Sequence, residues 1–203
     1  MGDCTGLMET KKEHLRRATL ALLVALATAT LGSAWARAAE RPLLPGVGAD
    51  DRRAPVSIDE APWRSIVRIQ TNLGGRCAGV VVAPTRVLTA AHCLLNPRTR
   101  RLFPASSLHA LFGYDRGAYA RHLSVAAIAT DKNRDPLAVP PDVASDWAIL
   151  TLTEAAPPSA PPLGLWTPLP PAGTPVMLGG YNQDHAQILT ADRECRTLGV
   201  AGG

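Results

Sequence analysis

In the stretch "VLTAAHCLL", residues 87–95, an apolar run is followed by a histidine and a cysteine, His92 and Cys93. An isolated histidine in such a place can be a catalytic base, a metal ligand or a packed core side chain. A zinc site would need three or four ligands, and Cys77, His92 and Cys93 are the available candidates. His92 and Cys93 are adjacent, however, so on a strand they would face apart, and CxxC and HxxxH spacings are absent. We therefore expect no metal there.

Two other features favour a functional histidine. Cys77 lies sixteen residues before Cys93, and the two flank an apolar hairpin, so a disulfide between them would hold the turn that carries His92. Further along, "SDWAILTL" places Asp146 at the start of an apolar strand, 54 residues after His92. A carboxylate beside such a strand is partly desolvated and needs a partner, and an imidazole N–H is a suitable one.

Short apolar runs separated by turn residues surround this stretch and predict strands. A Pro-rich stretch begins at residue 154. Six apolar runs precede it, at residues 63–71, 77–83, 86–90, 108–114, 121–129 and 146–152. With no long helical pattern among them, they predict an all-β fold, either a closed antiparallel barrel or a sandwich, over residues 63–153.

The C-terminal third contains fewer strands. Residues 154–173 are rich in proline, which excludes a central strand and predicts a connector over the surface. Two further strand-like runs follow, at 174–181 and 187–199, and two strands cannot close a barrel. Gly179 and Gly180, in the first of them, are expected to permit a bend or a close approach of the backbone.

The N-terminus has the pattern of a secretory signal peptide over residues 1–38: a basic stretch, an apolar run of fourteen residues from Ala18 to Leu31, and small-x-small cleavage patterns. The run is shorter than the ~20 residues that span a bilayer, so no stable membrane insertion is expected after cleavage. A secreted or periplasmic location is therefore expected, where cysteines pair. Residues 39–62 are polar and Pro-rich and predict an extended segment.

The charge balance argues against a nucleic-acid partner. The formal net charge is +4, and it falls to about +2 without the signal segment.

Together, "VLTAAHC", the upstream Cys77 and "DWAIL" resemble the trypsin-like serine peptidases. The entry segments "GADDRRAPV" and "APWRSIVRI" are more similar to the bacterial secreted branch that includes the glutamyl endopeptidases. The resemblance extends over about residues 46–199. It implies a chymotrypsin-like antiparallel double β-barrel, with the first barrel complete and the second, from residue 174 to 203, only partly present.

The resemblance also implies roles for individual residues. His92 would be the general base, Asp146 the carboxylate that orients it, and Cys77–Cys93 a disulfide. Asp131, Asp135 and Asp142 compete for the role of Asp146, but they lie in a polar, Pro-rich loop and are expected to be solvated. His185, in a polar turn, is expected to be exposed.

The family's nucleophile lies in a "GDSGGP"-like segment, which this sequence lacks. No serine after residue 38 has flanking glycines that could form an oxyanion hole. The cysteine that would pair with Cys195 is absent too, so Cys195 is expected to be unpaired and the chain to stop before the nucleophile.

The resemblance predicts a serine endopeptidase of protein or peptide substrates, without a cofactor. The alternatives are an inactive protease-like binding protein and a non-functional truncation. The sequence does not fix the oligomeric state.

Overall fold

The computed structural model describes residues 51–132, 135 and 143–199. Three short 3-10 helices occur within them, at Trp63–Ser65, Ala91–Leu94 and Ala105–Ser107. None of the helices in the described part of the chain has the length and apolar character needed to cross a membrane. The strands are β1 (Ala54–Pro55), β2 (Ile66–Thr71), β3 (Arg76–Ala83), β4 (Arg86–Thr89), β5 (Leu95–Asn96), β6 (Arg101–Leu102), β7 (Leu108–Phe112), β8 (Arg121–Thr130), β9 (Ala148–Leu152), β10 (Pro175–Gly180) and β11 (Thr190–Arg196).

Six strands form a closed antiparallel barrel in the order β2-β3-β4-β9-β8-β7. The alternation of residue types explains which face each strand buries. In β9, for example, Ala148, Leu150 and Leu152 are buried in the barrel, while Ile149 and Thr151 are partly exposed. The prediction of an all-β fold with a six-stranded first barrel is confirmed.

Two predicted strands begin later than expected. The run from residue 63 starts with the 3-10 helix Trp63–Ser65, in which the Ser65 N–H donates to the Pro62 carbonyl. The run from residue 146 starts with a turn, in which the Asp146 N–H donates to the carbonyl of Val143. In both places the local turn satisfies backbone groups that a strand would have paired, so β2 and β9 begin two or three residues on.

A second, three-stranded sheet has the order β1-β11-β10. The sequence predicted β10 and β11, but it missed β1, which lies in the segment predicted to be extended and pairs Ala54 with Ala191. Residues 39–50 of that segment lie outside the described residues. This sheet packs against the outer side of the barrel through a second apolar cluster: Trp63, Leu111, Tyr114, Tyr181, Leu189 and Ala191.

Arg68 of β2 connects the barrel to the segment between β10 and β11. Its guanidinium lies 4.1 Å from the centroid of the Tyr114 ring and donates a hydrogen bond to the Ala186 carbonyl. The Tyr181 hydroxyl donates to the Tyr114 carbonyl at 2.8 Å, so the two rings are held edge to face. Burial lowers the pKa of Arg68 and raises that of Tyr181. A cation over an aromatic face is stabilised most when it is shielded from water, as here.

A disulfide joins Cys77 of β3 to Cys93 of the helix Ala91–Leu94, with Cα atoms 6.1 Å apart. The predicted pairing is therefore present. Cys195, in β11, is the free cysteine of the described residues. The disulfide fixes the turn that follows β4 to the neighbouring strand of the barrel.

Gly179 lies where β10 meets Trp63, and the group that approaches it closely is the Trp63 ring rather than backbone. A Cβ atom on Gly179 would lie 2.5 Å from Cζ3 of Trp63 and 3.1 Å from its Cε3. Gly179→Ala should therefore lower the free energy of unfolding by about 1–3 kcal/mol, because Trp63 is buried and cannot move freely. Gly164→Ala is the matched control, since a Cβ there meets nothing within 4 Å. Urea unfolding of both variants tests this, and equal stability of the two would contradict the packing described.

The Cys77–Cys93 disulfide should stabilise the fold by restricting the unfolded chain. In the full chain, Cys77→Ala with Cys93→Ala should lower the free energy of unfolding by about 3 kcal/mol, the value for a loop of this length. Cys195→Ala removes a thiol of the same kind without opening a bridge, so it should change stability little. Unfolding is measured in urea without reductant. A double variant as stable as Cys195→Ala would show that the bridge does not restrict the chain.

Candidate active site

His92 is presented by the short helix that follows β4. Ala91 and Leu94, on either side of it, are completely buried against the barrel core. These two side chains anchor the turn and leave the imidazole of His92 outside, where 64% of its surface is exposed. Ala91, directly before His92, has a small side chain, which lets the turn lie close to the barrel.

Asp146 reaches the same place because β9 pairs with β4. The register aligns Thr89 with Ala148, and the Ala91 N–H continues the ladder to the Asp146 carbonyl at 3.4 Å. The residues that follow β4 therefore lie beside the residues that precede β9. This pairing brings together two side chains that are 54 positions apart in the chain.

The Asp146 carboxylate contacts His92 through both of its oxygens. Oδ2 lies 2.5 Å from Nδ1 of the imidazole, and Oδ1 accepts the backbone N–H of His92 at 2.8 Å. An ionised carboxylate can only accept, so Nδ1 carries the proton in this contact. In the neutral imidazole the lone pair is then on Nε2, on the side away from Asp146.

Cys93 is closer to His92 than the sequence suggested. A strand would have turned the two side chains apart, but the 3-10 turn places Cys93 Sγ 3.6 Å from His92 Nε2. That expectation was wrong because the residues do not lie on a strand. Cys77, His92 and Cys93 thus cluster within reach of a single ion. Zinc binds thiolates, however, and both sulfurs are in the disulfide.

A small cavity of about 250 Å³ lies next to the disulfide. Its walls are mainly apolar and include Leu73, Cys93, Leu95 and Phe103. Sequence reasoning missed this feature. The signal for it is Leu73, a leucine in the turn between β2 and β3 whose side chain is left largely exposed.

Asp142 is outside the described residues, and Asp146 is the carboxylate that meets His92. His185 is exposed in a polar turn, as predicted, and lies 3.7 Å from the carboxylate of Asp184.

Asp184 and Asp51 both bind the guanidinium of Arg53, which holds the pKa of Asp51 at about 2. Arg53 thus already supplies the positive charge that a cation would bring to Asp51, Asp184 and His185.

Two of the serines considered as nucleophiles have hydroxyls that already donate to backbone carbonyls. Ser65 Oγ donates to Pro161 at 2.5 Å, and Ser107 Oγ donates to Pro104 at 2.8 Å. Neither arrangement directs the hydroxyl toward an imidazole.

Comparison with solved structures supports the fold. A structure titled as a Glu endopeptidase in complex with MPD is 19% identical, with a TM-score of 0.61 over 71% of this chain and 67% of that one. The VesB protease of Vibrio cholerae is 24% identical, with a TM-score of 0.55 over 69% of this chain and 42% of that one.

Comparison with curated sequences adds a short match. The CLIP domain-containing serine protease HP8 of Bombyx mori is 51% identical over 39 residues, which are 18% of this chain and 11% of that protein. The chain therefore matches about a tenth of the length of this relative.

A family model, described as Trypsin, matches residues 52–198. That range contains the whole barrel, the second sheet and the pair formed by His92 and Asp146. This chain belongs to the trypsin family of serine peptidases.

Proposed function

We propose that the protein is a secreted serine endopeptidase, with His92 as the general base and Asp146 as the carboxylate that orients it. The observation that carries the proposal is the double contact of Asp146 with the backbone N–H and Nδ1 of His92. The substrate would be a protein or a peptide, and no cofactor is required for this chemistry.

The geometry supports a base at Nε2. A hydroxyl nucleophile is weak until a neighbouring base removes its proton. With the Nδ1 proton donated to Asp146, His92 offers the lone pair of Nε2 to a hydroxyl and later returns the proton to the leaving amine. The His92 side chain is exposed, and Cys93 Sγ lies 3.6 Å from Nε2.

The two contacts also explain why an aspartate is suited to the second role. One oxygen fixes the tautomer of the ring, and the other fixes the backbone from which the ring projects. The side chain of Asp146 is only 23% exposed, so the negative charge is little screened by water and stabilises the imidazolium that forms during the reaction.

The cavity beside the disulfide supports a peptide substrate. It is open and mainly apolar, and Cys93, which lines it, is adjacent to His92. An apolar side chain next to the scissile bond would fit there.

Secretion is supported by the disulfide, which persists in an oxidising compartment. The signal peptide proposed for residues 1–38 lies outside the described residues.

We assign no serine of this sequence to the nucleophile. Among the described serines, the hydroxyls of Ser65 and Ser107 are used by backbone carbonyls. This observation favours a second candidate function, that of an inactive protease-like protein that binds peptides at the cavity beside the disulfide.

The first test uses the native secreted protein and a fluorophosphonate, which labels only an activated serine. Because no serine of this sequence is assigned to the nucleophile, we expect one probe adduct on a protein with a mass well above that of residues 39–203, and its loss when the protein is denatured before labelling. An unlabelled protein with the mass of residues 39–203 would contradict the endopeptidase and support the binding protein.

Substitutions in the native secreted protein, without the probe, test the two roles. His92→Ala should lower the rate of casein hydrolysis by at least about ten-thousand-fold, because the base is removed. Asp146→Asn should have an effect of about the same size, because the amide favours the tautomer with the proton on Nε2. His185→Ala is the control, since it removes an exposed histidine from another turn. Wild-type hydrolysis by His92→Ala would overturn the assignment.

A further inference from the structure

Two histidines face each other on the outside of the barrel, in a place that the peptidase chemistry does not use. His109 lies in β7 and His122 in β8, in the register that pairs Leu111 with His122. Their neighbours Ala110 and Leu123 are buried in the core, so the two imidazoles project outward. His109 Nδ1 lies 2.9 Å from His122 Nε2.

Asn72, in the turn after β2, fixes the protonation of the first ring. Its side-chain oxygen lies 2.5 Å from His109 Nε2. An amide oxygen only accepts, so Nε2 carries the proton and Nδ1 of the neutral ring accepts the hydrogen bond that His122 Nε2–H donates. A metal ion would take the place of that proton, and His122 would then carry its proton on Nδ1. Metal-binding histidines commonly donate their second N–H to a carbonyl in this way, which orients the ring and makes the ligating nitrogen more basic.

The distance between the two nitrogens suits a shared ion. Two metal–nitrogen bonds of about 2.0–2.1 Å that meet at a right angle place their nitrogens roughly 2.9 Å apart. That angle is the one preferred by Cu²⁺ and Ni²⁺ in tetragonal sites, and imidazole is a favoured ligand of both.

We propose that His109 Nδ1 and His122 Nε2 form a binding site for a divalent transition-metal ion that prefers tetragonal nitrogen coordination, Cu²⁺ or Ni²⁺. Asn72 acts as a positioning residue by holding the tautomer of His109. Because His122 is exposed, water can fill the other coordination positions. Bound metal would join β7 to β8 on the outer face of the barrel.

The test is calorimetric titration of the full chain, without an affinity tag, with NiCl₂. We expect saturable binding that is weakened at least about tenfold in His109→Gln and in His122→Gln, since each loses one of two ligands. Asn72→Ala should weaken it by about 10–100-fold, the usual effect of removing the group that orients a ligating histidine.

His185→Gln is the matched control. It removes another exposed histidine, one that lies beside Asp51 and Asp184, and it should leave binding unchanged. Loss of binding in this variant, or unchanged binding in His109→Gln and His122→Gln, would place the ion elsewhere and overturn the proposal. Absence of saturable binding by the wild-type chain would overturn it as well.

A second measurement does not depend on how the variants fold. The electron paramagnetic resonance spectrum of the wild-type chain with one equivalent of Cu²⁺ should show hyperfine coupling to two imidazole nitrogens. A spectrum with oxygen or sulfur ligands alone would contradict the site.

Discussion

The pairing of β4 with β9 is the interaction on which the candidate site depends. Its register aligns Thr89 with Ala148, and the ladder continues past the end of β4 to the Asp146 carbonyl. A slip of one residue would turn every side chain of β9 to the opposite face, so Leu150 and Leu152 would leave the core. Burial of those side chains therefore also fixes the distance between His92 and Asp146. The stability of the barrel and the geometry of the site have the same cause.

The sequence predicted the barrel because each barrel strand lies in a short apolar run that turn residues separate from the next. It also predicted the partnership of His92 with Asp146, since an aspartate at the edge of an apolar strand needs a donor. It could not predict the turn at Ala91–Leu94, where contacts with the core decide the backbone. The strands β1, β5 and β6 have two residues each, too few for any pattern, and they form only because a neighbouring strand offers unpaired backbone groups.

The second sheet is joined to the barrel by contacts between residues distant in sequence. Trp63 packs against Gly179, and Arg68 reaches from β2 to the carbonyl of Ala186. An arginine in the middle of the "IVRIQT" strand suggests an exposed position, yet Arg68 is almost fully buried. Its charge lies over the ring of Tyr114, a partner 46 residues further along the chain, which strand periodicity alone does not indicate.

The protonation of His92 is the most direct test of the geometry at the centre of this structure. A long-range ¹H–¹⁵N NMR spectrum of the full chain, labelled at histidine, reports which ring nitrogen bears the proton when the imidazole is neutral. His92→Gln identifies the signals by their loss. A proton on Nδ1 and a bare Nε2 are the predicted result, because Asp146 accepts from Nδ1. A proton on Nε2 with a bare Nδ1 would contradict the contact with Asp146 and the role of His92 as a base.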